Sequence, residues 1–220
     1  RQLHDLRYPE GQTLGVGTGR PRPGRRLLTV GTDCAVGKMF TALSLEQELR
    51  RRGHAATFRA TGQTGILIAG RGVAVDAVVA DFLSGVVEEL APANDPEHWD
   101  LIEGQGSLFH PGYAGVSLGL LHGAQAEALV LCHECGRTSP VDSPDVSLPD
   151  LSSCIEQIET AARLTRPDAR VVGLALNTSA LADEEALLEI QSTAQEFGLP
   201  SCDPVRTGVS TIVDALGCSE

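Results

Sequence analysis

Leu27-Leu28-Thr29-Val30-Gly31-Thr32-Asp33-Cys34-Ala35-Val36-Gly37-Lys38-Met39 decides the fold. An apolar, strand-like run ends at Gly31, and a Gly-Lys pair then opens a helix-like stretch. This arrangement aims backbone N–H groups and the positive end of a helix at one point, so it binds phosphate without a basic surface. Gly37 lets the backbone pass close to the ligand, and Lys38 adds a compact, mobile charge that the planar fork of arginine does not imitate. The five residues Thr32 to Val36 separate the two glycines, one more than in the usual G-x-x-x-x-G-K loop. Of the 17 basic residues Lys38 is the only lysine. A Mg-nucleotide loop carries Ser or Thr next, because that hydroxyl ligates the metal. Here Met39 stands in that position and Thr41 comes two residues late. The loop is expected to hold a pyrophosphate through Gly31, Thr32, Asp33, Cys34, Ala35, Val36, Gly37, Lys38 and Met39, with the machinery for γ-phosphate transfer weakened. No metal is expected, and coenzyme A fits the description.

Outward from the loop, strand-like runs at 27–30, 56–59, 101–103, 128–132, 171–176 and 201–202 alternate with helical patterns at 38–52, 75–90, 151–165 and 183–197. The strands are continuously apolar, as in parallel sheets covered on both faces. The alternation predicts a three-layer, doubly wound α/β domain with a mostly parallel sheet, of the P-loop NTPase type, over residues 27–220. Residues 1–26, rich in Gly and Pro, read as a connector or N-terminal extension. Gly15-Val16-Gly17-Thr18-Gly19 is not a dinucleotide fingerprint, because it neither follows a strong strand nor has G-x-G-x-x-G spacing.

A net charge of −12 argues against a nucleic-acid binder. No apolar run is long enough to span a membrane. Six cysteines in 220 residues are too few for a disulfide scaffold, so a reducing cytoplasm is the expected setting.

The remaining candidates lie at or beyond strand ends. Glu103 in Glu103-Gly104-Gln105-Gly106 ends a buried strand, where an acid can take a proton from an attacking ammonium; the plainer reading is an acid that caps a turn. Thr61-Gly62-Gln63-Thr64-Gly65 offers an oxyanion or carboxylate nest, or else a tight polar loop. Gln63, Thr64, Gly65, Gln105, Arg71 and Arg137 are the candidate substrate-binding residues; either arginine can equally be solvated. His110 is a candidate proton relay, though a lone loop histidine is more often structural. Asp76 reads as a helix N-terminal acid. Cys132-His133-Glu134-Cys135 has no second ligand pair and is not read as a metal site.

The chain resembles the P-loop D-amino-acid (D-glutamate) N-acetyltransferases. The resemblance is carried by Val30–Met39, Ala60–Phe82, Trp99–Gly123, Gly173–Leu181 and Asp203–Val209, which together run through most of residues 27–216. It implies acetyl transfer from acetyl-CoA, as co-substrate, to the amine of a D-amino acid, with D-glutamate favoured as the small-molecule acceptor. In this reading Glu103, through His110, accepts the amine proton, and Asn177, Pro204 and Arg206 contact the nucleotide. Proteins of that family usually carry a further N-terminal domain, and a homo-oligomer is left open. The loop also looks like that of dethiobiotin synthetase, whose G-T-D-x-x-V-G-K-T ends in Thr. An ATP-dependent ligase and a non-catalytic nucleotide- or CoA-binding module are therefore the competing readings.

Overall fold

Strands that are apolar along their whole length need cover on both faces, and the chain supplies it. The computed structural model describes Asp5 and residues 15–218. It contains strands β1 (Arg25–Gly31), β2 (Ala56–Arg59), β3 (Trp99–Ile102), β4 (Ala128–Glu134), β5 (Arg170–Asn177) and β6 (Ser201–Cys202). These form one sheet in the order β2-β3-β1-β4-β5-β6. Every neighbouring pair is parallel. The helices are α1 (Lys38–Arg51), α2 (Gln63–Ala69), α3 (Ala80–Leu90), α4 (Ala114–Ala124), α5 (Leu151–Arg163), α6 (Asp183–Phe197) and α7 (Ser210–Ala215).

Alternate strand residues feed two cores. Leu28, Val30, Leu129 and Leu131 pack with Leu83, Val87, Leu120 and Ile158 of α3, α4 and α5. Leu27, Val130 and Val172 pack on the opposite face with Leu45 and Leu49 of α1 and Ile212 and Val213 of α7. This is the doubly wound, three-layer architecture, with β1 at its centre between β3 and β4. The strand order reverses beside β1, so the crevice at the carboxyl ends of β1, β3 and β4 is where such a sheet binds ligands.

The helix expected at 75–90 is divided. Val75–Ala77 forms a single 3-10 turn, Val78 and Val79 are extended, and α3 starts at Ala80. Two consecutive β-branched residues resist the helical turn there. Helices α2, α4 and α7 lie in segments that carry no clear helical period; α4 alone contains Gly115, Gly119 and Gly123. The connector expectation for residues 1–14, apart from Asp5, lies outside the described residues. In residues 15–24 the amides of Thr18 and Gly19 donate to the Glu88 carboxylate of α3, which ties this Gly-rich stretch down. Among the described residues no helix is long and apolar enough to cross a membrane.

Candidate active site

The loop between β1 and α1 has the form of a phosphate cradle. Gly37 adopts φ 102°, a left-handed conformation that suits glycine, and caps α1 without a side-chain bond, so the helix amides face the loop. Lys38 is buried, and its Nζ donates to the Asp33 carbonyl at 2.7 Å, back across the cradle. Burial pushes its ammonium below the usual lysine range, although Asp33 and Glu103 oppose that shift. Thr41 Oγ1 donates to the Gly37 carbonyl within the helix. It therefore does not replace the hydroxyl that Met39 lacks.

Glu103 follows β3, whose register sets Ile102 beside Leu28. It is buried, and Oε2 accepts the amides of Thr61 at 2.9 Å and Gly62 at 3.1 Å, while Oε1 accepts Gln105 Nε2 at 3.1 Å. Burial drives its carboxyl above the ordinary range, and the two amides and Lys38 pull it back. A buried carboxyl held in a cleft with its proton affinity raised is the form a general base takes.

Three cavities run from one edge of the cradle to the other. An apolar one of about 400 Å³ is lined by Val36, Gly37, Phe40, Ala175, Leu176, Asn177, Pro204, Val205 and Arg206. Next to it, and sharing Gly37 and Phe40, a cavity of about 320 Å³ contains Lys38, Met39, Glu103 and Gln105. The third, of about 460 Å³, shares Cys34, Met39, Glu103, Gln105 and Gly106 with the second and adds Gly62, Gln63, Thr64, Asp76, Tyr113 and Val116. Asn177 Oδ1 accepts the amide of Ser179 at 3.1 Å, which fixes the side chain at the end of β5. Arg206 is anchored by Asp183 and by the Leu181 carbonyl at 2.8 Å.

Several expected residues are engaged elsewhere. Arg71 lines a separate cavity with Phe58, Arg59, Glu89 and Leu90. His110 is buried outside the three cavities. Its Nδ1 accepts the amide of Gly112 at 3.0 Å, so the proton sits on Nε2, which donates to the Val141 carbonyl at 2.9 Å. With both nitrogens used, the ring is placed as a structural group rather than a relay. Arg137 donates Nη1 to Asp33 Oδ2 at 2.6 Å and to the Cys34 carbonyl at 3.0 Å, and Nη2 to Glu134 Oε2 at 2.6 Å. Neither Arg137 nor Arg71 lines the cavity that holds Glu103. Ligand atoms of Asp33, Cys34 and His110 come within 4.8 Å of one another. This trio suits a cation poorly, because Arg137 already meets the charge of Asp33 and both His110 nitrogens are bonded.

The structure adds Asp76, whose place in the sequence reads as that of a helix N-terminal acid. The backbone bonds from Val73 N to Ala60 O and from Val75 N to Thr61 O, both 3.0 Å, fold the 3-10 turn against the loop after β2 and bring Asp76 to the cavity of Glu103. That long-range pairing has no signal in the local sequence.

The family profile described as "Domain of unknown function (DUF1611_C) P-loop domain" matches residues 14–213. The chain belongs to this family. Two relatives bear the name D-glutamate N-acetyltransferase. The one from Tritonibacter scottomollicae is 50% identical over 216 residues, covering 98% of this chain and 65% of the relative. The one from Pseudoalteromonas sp is 51% identical over 214 residues, covering 97% and 64%. The chain thus spans just under two thirds of the length of the curated relatives it matches. A solved DUF1611 family protein from Anabaena variabilis superposes with a TM-score of 0.88 at 42% identity, over 98% of this chain and 64% of that one. Cobyrinic acid a,c-diamide synthase from Mycobacterium smegmatis, with a TM-score of 0.50 and 13% identity over 87% and 91% of the two chains, shares the P-loop fold.

Proposed function

We propose that residues 27–220 form an N-acetyltransferase domain that moves an acetyl group from acetyl-CoA to the amine of a D-amino acid, D-glutamate foremost. The observation that carries this reading is that the three cavities adjoin one another and share lining residues. In this reading the nucleotide end lies at Asn177 and Pro204 and the diphosphate at Lys38, and Glu103, which lines both the second and the third cavity, stands at the reacting end. The names of the relatives at 50% and 51% identity agree with it.

In the proposed reaction the acceptor ammonium enters between Asp76 and Glu103. Glu103 takes the proton, because only the neutral amine attacks a thioester. Attack on the acetyl carbonyl gives a tetrahedral oxyanion whose nitrogen carries one proton too many; collapse expels the CoA thiolate, and that nitrogen proton passes to the thiolate to leave the amide and the free thiol. The Gly62 amide is already bonded to Glu103, which narrows the oxyanion donors to the first turn of α2 around Thr64 and Gly65. Positioning two bound reactants contributes on the order of 7–11 kcal/mol, so a modest base suffices. The diphosphate stays intact and no step needs a metal. A cytoplasmic setting accompanies the proposal, since Cys34, Cys132, Cys135, Cys154, Cys202 and Cys218 are all free thiols. The additional length of the relatives is proposed to contain a further N-terminal domain, while the acceptor is held by residues of the P-loop domain. Incubation with acetyl-CoA and D-glutamate, followed by mass spectrometry, should yield N-acetyl-D-glutamate. Product from the L-enantiomer alone, or none from any amine, would reject the reading.

A further inference from the structure

A phosphate cradle is effective only if its amides are aimed before the ligand arrives, because ordering them on binding is subtracted from affinity. Here the aiming comes from outside the loop. Asp33 is buried in the cradle, and its Oδ2 accepts Arg137 Nη1 at 2.6 Å and the amide of Val141 at 2.7 Å. The same Nη1 reaches the Cys34 carbonyl at 3.0 Å, and Glu134 at the end of β4 holds the other arm of the guanidinium at 2.6 Å. One planar fork thus joins the central strand layer to two successive loop residues, a geometry that lysine cannot reproduce.

Val141 is held through both of its backbone groups, its amide by Asp33 and its carbonyl by His110 Nε2 at 2.9 Å. Val141 belongs to a segment closed on itself by the bond from Leu148 N to Thr138 O at 2.9 Å, a compact Ω-like loop. It is seated directly against the cradle. The Asp33 carbonyl, between these anchors, is also the acceptor that orients Lys38 Nζ.

We propose that Arg137 and the 138–148 loop brace the phosphate loop in its ligand-binding shape before any ligand is bound. Arg137 and His110 are then positioning residues for the phosphate-bearing ligand and do not touch the acceptor. The brace rests on the phosphate-binding part of the proposed function, and its test includes a readout that needs no ligand.

The experiment uses the whole 220-residue chain with Arg137→Ala, Arg137→Lys and Glu134→Gln. Hydrogen–deuterium exchange of the unliganded chain reports the amides of residues 32–38, and calorimetry reports CoA and ADP affinity. Arg137→Ala is expected to speed exchange in the loop while β4 stays protected, and to weaken CoA and ADP alike by about tenfold or more. Arg137→Lys should recover part of both effects. Glu134→Gln should shift both readouts in the same direction but less than Arg137→Ala, because the neutral amide oxygen still accepts one bond from the guanidinium. If Arg137→Ala does not fold, Arg137→Lys carries the same test in reduced form. Unchanged loop exchange in the arginine variants overturns the brace. So does a rise confined to KM for D-glutamate with CoA affinity intact, which would make Arg137 an acceptor ligand. A wild-type chain that binds neither CoA nor ADP would count against the proposed function, while the exchange data would still decide the brace.

Discussion

Gly65→Ala should uncouple donor binding from chemistry. Gly65 lies in α2 with ordinary helical backbone, so alanine there favours the helix by about 1 kcal/mol. The added Cβ, however, would stand 2.3 Å from Glu103 Oε2 and 3.0 Å from its Cδ. Relief requires a shift of roughly 1 Å, which an ordinary van der Waals contact demands. Such a shift weakens the bonds that Oε2 accepts from Thr61 N and Gly62 N. Disturbing two charge-assisted bonds at a buried carboxylate costs on the order of 2–4 kcal/mol, so the net loss of stability is about 1–3 kcal/mol. A base misplaced by about 1 Å loses roughly 100-fold in rate. Gly65 lines neither the phosphate nor the nucleotide cavity, so CoA affinity should stay within about twofold. Thiol release gives kcat, calorimetry gives CoA affinity, and thermal unfolding gives stability. Gly115→Ala, at a helical glycine with no atom within 4 Å of the new methyl, is the control. Wild-type kcat in Gly65→Ala would show that Glu103 is not the base or is not held by this seat.

Lys38→Ala should weaken CoA by about 30- to 100-fold through lost charge-assisted phosphate bonds. Its folded state should be no less stable, since burial disfavours the ammonium; unchanged CoA affinity would contradict the anchoring role. Glu103→Gln should retain CoA binding and lose at least about 100-fold in kcat. It should also change how stability depends on pH. The folded carboxyl titrates above its unfolded value, so between those two values the native state holds more protons and stability falls as pH rises. Urea midpoints measured against pH should show this fall in the wild type and its absence in the variant. In the wild type the acid limb of kcat against pH should lie above the ordinary carboxylate range, because the base works only when deprotonated. CoA affinity should decline with rising pH earlier than an ordinary lysine would require, because the Lys38 ammonium deprotonates more easily than usual. A CoA affinity flat up to the normal lysine range would refute that assignment.

The fold was legible in the sequence wherever burial left a regular mark. Strands β2 and β6 match the apolar runs read for them, and α1, α5 and α6 run close to their expected bounds, with Gly198 at the left-handed cap of α6. Strand β3 lies two residues earlier at its start, because Trp99 and Asp100 are buried in the sheet although Asp100 is charged. It is paired there with Arg59, a partner distant in sequence. The cradle, Glu103, Gln105 and Asn177 stood out because ligand groups in such sheets sit at strand ends. Arg137, His110, Arg71 and Asp76 have no comparable mark. For each of them the deciding fact is a partner or cavity brought up by tertiary folding, which residue type and local spacing do not record.

The central claim is that the cradle grips a diphosphate that stays whole while chemistry occurs at the far end of the ligand. The most direct measurement follows free thiol from acetyl-CoA with D-glutamate, beside phosphate release from Mg-ATP, in the same preparation. Thiol release that depends on D-glutamate and vanishes in Glu103→Gln is expected, with no nucleotide hydrolysis above background. Rapid ATP hydrolysis without thiol release would contradict the claim.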